Sequence, residues 1–322
     1  MVRCVVRGLV SGVLLAAAWT GAVPTRALAA ESEIPPAAFG APPPDHQPGS
    51  SEPVYGATPE PRPPAPEDGQ PGFITMDRTG TGPHAGIQVG FHKNDDVALS
   101  DGFAMRFNPY GQYIFPNRIA GIYGQIPISH LFNFNGTDGT GFGNLELGGL
   151  YLPFGDSRLI LRGGLALPTA SNDNVADVLA NFNTVYERLT DFILIAPEYT
   201  TLRLSASTIQ QMDNFFFRAD GGFDLVFSRP ASAGDGPNVF FRANVAGGIR
   251  TSGVDIGLEF VNLAAVNGDV TGGITERFLH TAALSVRTQG QDQLHFGAVF
   301  PLDEDARGEV WILSVGYLRA FN

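Results

Sequence analysis

Cysteine is all but missing. The sequence holds one, Cys4, so a disulfide framework, a thiolate metal site and a thiol nucleophile are excluded beyond that position. Lysine is equally scarce, with Lys93 alone. The formal net charge of −12 is the reverse of the basic surface that phosphate neutralisation demands, which argues against a nucleic-acid partner. After residue 18 no apolar run approaches the roughly 20 residues of a membrane-spanning helix. If the chain enters a bilayer, it must do so as a closed barrel, the other architecture that satisfies every backbone hydrogen bond.

What is present divides the chain into three parts. Arg3 and Arg7, the apolar stretch from Leu9 to Ala18 and the small residues Ala27-Leu28-Ala29 read as a secretory signal peptide over 1–29, whose cleavage after Ala29 would also remove Cys4. Residues 30–83 read as a proline-rich periplasmic linker, because Glu31 to Gly72 carries 13 of the 24 prolines and few side chains to bury. Such a tether serves either as a disordered spacer or as a contact for cell wall or a periplasmic partner. The barrel is expected over 84–322.

From about Ala85 the pattern becomes period-two alternation broken by turn residues, the signature of half-buried strands. Twelve strands can be read. Ile87, Val89 and Phe91 alternate with Gln88, Gly90 and His92 in the first, and Trp311, Leu313, Val315, Tyr317 and Phe321 stay in phase in the last. Glycine, at 40 residues, and phenylalanine, at 24, suit tilted barrel strands and membrane-interface girdles. Connections at one end are short, as at 116–118, 154–156, 208–213, 250–252 and 288–291. Those at the other end, 93–101, 133–140, 169–194, 228–237, 266–275 and 303–309, are mostly longer. Short periplasmic turns and longer extracellular loops are the asymmetry of outer-membrane barrels. The fold class is therefore an all-β, antiparallel transmembrane barrel. His280 and Arg319 break the scheme by falling in the lipid-facing phase, Arg319 close enough to an interface to snorkel and His280 at a bulge or a slip of phase.

The opposite phase carries the candidate site. Arg106, Glu146, Arg162, Arg203, Arg218, Asp220, Asp224, Arg242, Asp255 and Glu259 are expected to line the lumen, with Arg158 and Arg250 in the same phase. Mixed charges of this kind either contact a permeant along a wet path or pair into a ladder that fills the interior. Val175, Val178, Leu179, Phe182, Val185 and Leu189 recur at helical spacing within the longest loop, with Asn172 or Asp173 as cap, so a helix there either enters the mouth or lies on the rim. Asp95, Asp96, Asp101, Asp138, Asp235, Asp303, Glu304 and Asp305 make the loops acidic, suited to lipopolysaccharide bridged by cations or simply to solvent. No loop has the ligand spacing of a calcium site, so neither metal nor cofactor is assigned. His92, His130, His280 and His295 lie in no serine-hydrolase motif, and no other catalytic signature is found, so no enzymatic activity is expected.

Two segments carry a family resemblance. Gly141-Phe142-Gly143-Asn144-Leu145-Glu146-Leu147-Gly148 resembles the G-x-G-D-L-x-L-G strand start of outer-membrane barrels of the meta-pathway phenol-degradation (MetA-type), transporter-like family, with Asn144 in place of aspartate. Arg162-Gly163-Gly164-Leu165-Ala166-Leu167-Pro168-Thr169-Ala170 resembles that family's glycine-rich strand ending in Leu-Pro-Thr-Gly, with Ala170 in place of glycine. The resemblance implies passage of small, apolar or aromatic molecules. The expectation is a channel in the outer membrane of a Gram-negative cell, surrounded by lipid and lipopolysaccharide. The alternative is a structural or adhesive barrel that binds envelope components.

Overall fold

The computed structural model describes residues 73–94, 102–134, 137–171, 174–228, 238–267, 278–304 and 306–321. The signal peptide expected over 1–29, residues 30–72 of the linker, and the loop acids Asp95, Asp96, Asp101, Asp235 and Asp305 lie outside them.

The strands are β1 (His84–Asn94), β2 (Gly102–Ile114), β3 (Ala120–Gln125), β4 (Ile128–Phe134), β5 (Thr137–Phe142), β6 (Glu146–Tyr151) and β7 (Ile160–Ala166). They continue as β8 (Thr200–Met212), β9 (Phe215–Ser228), β10 (Val239–Arg250), β11 (Val254–Ala265), β12 (Phe278–Thr288), β13 (Asp292–Pro301) and β14 (Val310–Ala320). β2 pairs with β3 through Tyr110–Ile114 and with β4 through Phe103–Phe107, so β3 and β4 are two halves of one wall position. The break falls at Pro127, which has no N–H to give to a ladder. β5 and β6 form the next broken strand, pairing with β4 and β3 respectively. With each broken strand counted once, the wall is a closed antiparallel barrel of twelve strands, sealed where β14 returns to β1 from His84↔Ala320 to Asn94↔Val310. The tightest turn is Asp213-Asn214, where Asp213 takes a φ of 50°, as two-residue hairpin turns require; β8 thus runs past the turn expected at 208–213.

Side-chain direction is inverted relative to a soluble protein. Phe107, Leu147, Leu204, Phe223, Leu258, Leu284 and Leu313 all stand on the outer surface, Leu313 with 62 % of its area exposed. Arg106, Arg203, Asp224 and Glu259 are buried inside. Apolar wall outside and charge inside is the arrangement of a barrel surrounded by lipid. The two exceptions have local reasons. His280 lies at the loop end of β12, where its backbone N–H and Nδ1 both meet Asp303, at 3.0 and 3.1 Å, so it marks a rim contact and not a bulge. Arg319 sits at the opposite, short-turn end, 3.9 Å from Asp292.

Two segments that belong to no wall strand occupy the interior. The first is 73–83, where Phe73, Ile74 and Met76 are buried, although the linker was expected to extend through these residues. The second is the long connection between β7 and β8, with α1 (Val175–Phe182), a 3-10 segment (Val185–Asp191) and α2 (Phe192–Ile195). Asn174 caps α1 by accepting from the backbone N–H of Asp177 at 2.9 Å; Asn172 and Asp173 lie outside the described residues. The helix does not lie on the rim. Its residues Ala176 and Asp177 rest against the inward side of β5, where a Cβ on Gly139 or Gly141 would overlap their backbone. The two segments share an apolar cluster in which Phe73, Ile74 and Met76 join Leu189, Ile193 and Phe216.

Candidate functional site

The lumen is built from wall residues whose phase turns them inward and from polar groups that the two inserted segments bring to meet them. All ten residues singled out in the sequence are buried on the inner side. Arg250 also points inward, at the short-turn end, and donates from Nε to Asp255 at 2.9 Å. Arg158 differs: it lies exposed in the turn after β6 and pairs with Asp156 at 2.8 Å, because β7 begins only at Ile160.

Charge pairing runs across the barrel. Glu146 on β6 accepts from Arg162 on β7 at 2.6 Å, from the Tyr123 hydroxyl at 2.7 Å and from Arg203 on β8. Arg203 also reaches Asp224 on β9 at 3.2 Å, and Asp224 takes Arg242 of β10 at 3.0 Å. Arg218 donates to Asp220 two residues away at 2.8 Å, and Arg287 to Asp255 at 2.7 Å. Each charge would be costly alone in such a place; paired and hydrogen-bonded it is held.

The inserted segments complete this network. Asp77 lies 2.7 Å from Arg162 and 3.5 Å from Arg242. Burial pushes its carboxyl upward, but Arg162 and Arg242 outweigh that and hold it well below the usual carboxylate range. Asp191, at the end of the 3-10 segment, sits among Arg188 at 2.7 Å, Arg106 at 3.4 Å and Arg78 at 3.5 Å. Here too burial raises the carboxyl and the surrounding guanidinium groups, Arg188 first, bring it far below its ordinary value. Glu259, on β11, clamps the backbone of the first segment. It accepts from the N–H groups of Ile74 and Thr75, both at 2.8 Å, and from the Thr75 hydroxyl at 2.6 Å. Arg188 ties the two inserted segments together by donating to the carbonyls of Ile74 and Met76, the latter at 2.6 Å.

Sequence reasoning missed Asp77, Arg78, Glu187, Arg188 and Asp191 as members of the site. Their partners are distant in sequence, and no local period marks them. One signal was available: glycines in the inward phase. Gly90 and Gly297 leave the space filled by Glu187 and Ile74, and an inward-facing glycine on a barrel strand is where another part of the chain can approach closely.

Of the histidines, His92 meets Glu187 at 3.3 Å, and His130 meets the Thr140 hydroxyl at 2.8 Å. Among the described residues no group of three His, Cys, Asp or Glu side chains is arranged to hold a metal ion.

No family model matches the chain, and no curated protein matches it. Solved structures do. The crystal structure of an outer membrane channel from Pseudomonas putida F1 superposes over 80 % of this chain and 99 % of that one, with a TM-score of 0.50 at 14 % identity. The likeness is one of fold. The KdgM porin in complex with disordered oligogalacturonate covers 74 % of this chain and 99 % of its own, at 12 % identity and a TM-score of 0.41. LpxR from Salmonella typhimurium covers 74 % of this chain and all of its own, at 11 % identity and a TM-score of 0.42.

Proposed function

We propose that this barrel is a gated outer-membrane channel for small molecules, apolar or aromatic ones among them, and that its lumen is closed by its own inserted segments. The observation that carries the reading is how the closure is made. The wall interior carries a network of paired charges beside an apolar patch that includes Phe216, Phe240 and Val261, and 73–83 is held to it by charge-assisted hydrogen bonds such as those from Ile74 and Thr75 to Glu259. An interior meant only to be filled gains more from apolar packing than from paired charges, which break even at best against hydrophobic replacements. A charged interior becomes a permeation path once the segment leaves, because water can take over every hydrogen bond it made. The sequence resemblance supplies the permeant class, and the likeness of fold to an outer membrane channel supports the setting in the outer membrane, among lipid and lipopolysaccharide.

Deleting residues 73–79 from the otherwise full chain tests the reading. In planar bilayers the intact protein is expected to conduct weakly or in brief openings, and the deletion to conduct steadily. A deleted barrel that folds and still passes neither ions nor small solutes would overturn it.

A further inference from the structure

We propose that the periplasmic end of the lumen holds a binding site for a small aromatic carboxylate. The inference deepens the channel reading by naming a class of permeant and rests on it for that role, whereas the site itself stands on its geometry. A cavity open to solvent lies between residues 77–83 and the short-turn ends of the wall strands.

Arg78, Arg287 and His295 line this cavity from three parts of the chain. The terminal nitrogens of both arginines are occupied. Arg78 donates to Gln125 at 2.6 Å and to Gln88 at 2.9 Å, and Arg287 to Gln293 at 3.0 Å and to Asp255 at 2.7 Å. The Nε of each arginine and the Nε2 of His295 have no hydrogen-bond partner among the described residues, although all three atoms are buried. His295 as a whole is only 7 % exposed. Buried donors are rarely left unpaired in folded proteins, and several around one cavity ask for an acceptor with several lone pairs. The one carboxylate lining the cavity, Asp77, is already engaged by Arg162 at 2.7 Å and by the Ser205 hydroxyl at 3.1 Å.

A second feature sets the rest of the ligand. Phe73, Leu318, Ala320 and Phe321 give the cavity an apolar wall, and the Tyr110 ring also lines it. A bare inorganic anion would leave that wall wet, and a neutral ring would leave the two arginine Nε–H groups without an acceptor. A planar ring bearing a carboxylate satisfies both, since charged acceptors make the stronger hydrogen bonds to guanidinium and aromatic bodies favour apolar walls.

Calorimetric titration of the full chain in detergent micelles with benzoate, phenol and inorganic phosphate tests the proposal. Benzoate should bind saturably with one site, and phenol and phosphate about tenfold more weakly or worse, the loss expected for one charge-assisted hydrogen bond or its apolar counterpart. His295→Phe should weaken benzoate binding about tenfold, and Arg78→Gln should do the same from the inserted segment, so that the test survives if one variant fails to fold. Barrel formation in each is read by heat-modifiable migration on gels. Absence of saturable benzoate binding, equal binding of phosphate, or benzoate affinity unchanged in folded variants would overturn the site. Bilayer conductance is scored apart: binding without conductance removes the channel reading and leaves the site, while conductance without binding does the reverse.

Discussion

Asp191 shows how much one side chain can be asked to hold. Its Oδ2 alone faces Arg188, Arg106 and Arg78, which come from the 3-10 segment, from β2 and from the segment before β1, so a single carboxylate joins wall, loop and inserted segment. Its carboxyl is held well below the ordinary value of the unfolded chain. The linkage follows from that sign: the contribution to closure is fully present above the ordinary carboxylate pKa, near 3.9, and is lost only as pH falls through the much lower folded value. Asp77 is shifted the same way. Conductance of the intact barrel should therefore stay flat between about pH 7 and 5 and rise only in strongly acid solution, below about pH 3. A bilayer recording with a midpoint near pH 6 would show that these carboxylates do not set closure. At this scale the wall residues were legible, because inward and outward side chains alternate locally along a strand. Their partners were not: Ile74 and Glu259 are 185 positions apart, and nothing near either residue announces the other.

At the level of elements, β5 is the instructive case. The stretch 133–140 reads as a loop because glycine removes the alternation that would mark a strand. The chain is nevertheless a strand from Thr137 to Phe142, paired with β4 on one side. Its glycines are explained by α1, which rests where inward side chains would stand. On the other side no strand among the described residues continues the ladder, and backbone donors there are taken by side chains: Thr140 N–H by Asp177 at 2.9 Å and Phe142 N–H by Ser171 at 3.0 Å. The helical period of 175–189 was visible in the sequence, but a period shows only that one face is apolar, not whether that face meets a rim or an interior. Gly141→Leu should drive α1 out of its seat, since the overlap is with helix backbone and not with the end of a flexible chain. Faster proteolysis of 172–199 in the folded barrel is the expected outcome. Gly149→Leu, which faces outward and has only the Gly121 carbonyl near, at 3.7 Å, should leave cleavage unchanged. Equal rates in the two variants would mean that the glycine stripe does not seat the helix.

For the molecule as a whole, the deciding property is which solvent the outer wall expects. A soluble barrel places its charges outside and its leucines within; here large apolar side chains are outside on every strand pair, and the interior holds an ion-paired lattice together with two inserted segments. That inversion makes the cost of an outward charge depend on depth, because the hydrocarbon centre cannot solvate it and the interface can. Leu258 stands near the middle of β11 with 59 % of its area exposed, whereas Val254 begins that strand at the short-turn end. Leu258→Arg should therefore destabilise the barrel in lipid by about 2–4 kcal/mol, and Val254→Arg by about 0–1 kcal/mol. Reversible unfolding in phospholipid vesicles by titration with guanidinium measures both. Equal and small costs at the two positions would mean that the wall meets water along its length, and the membrane reading of every strand would fall with that result.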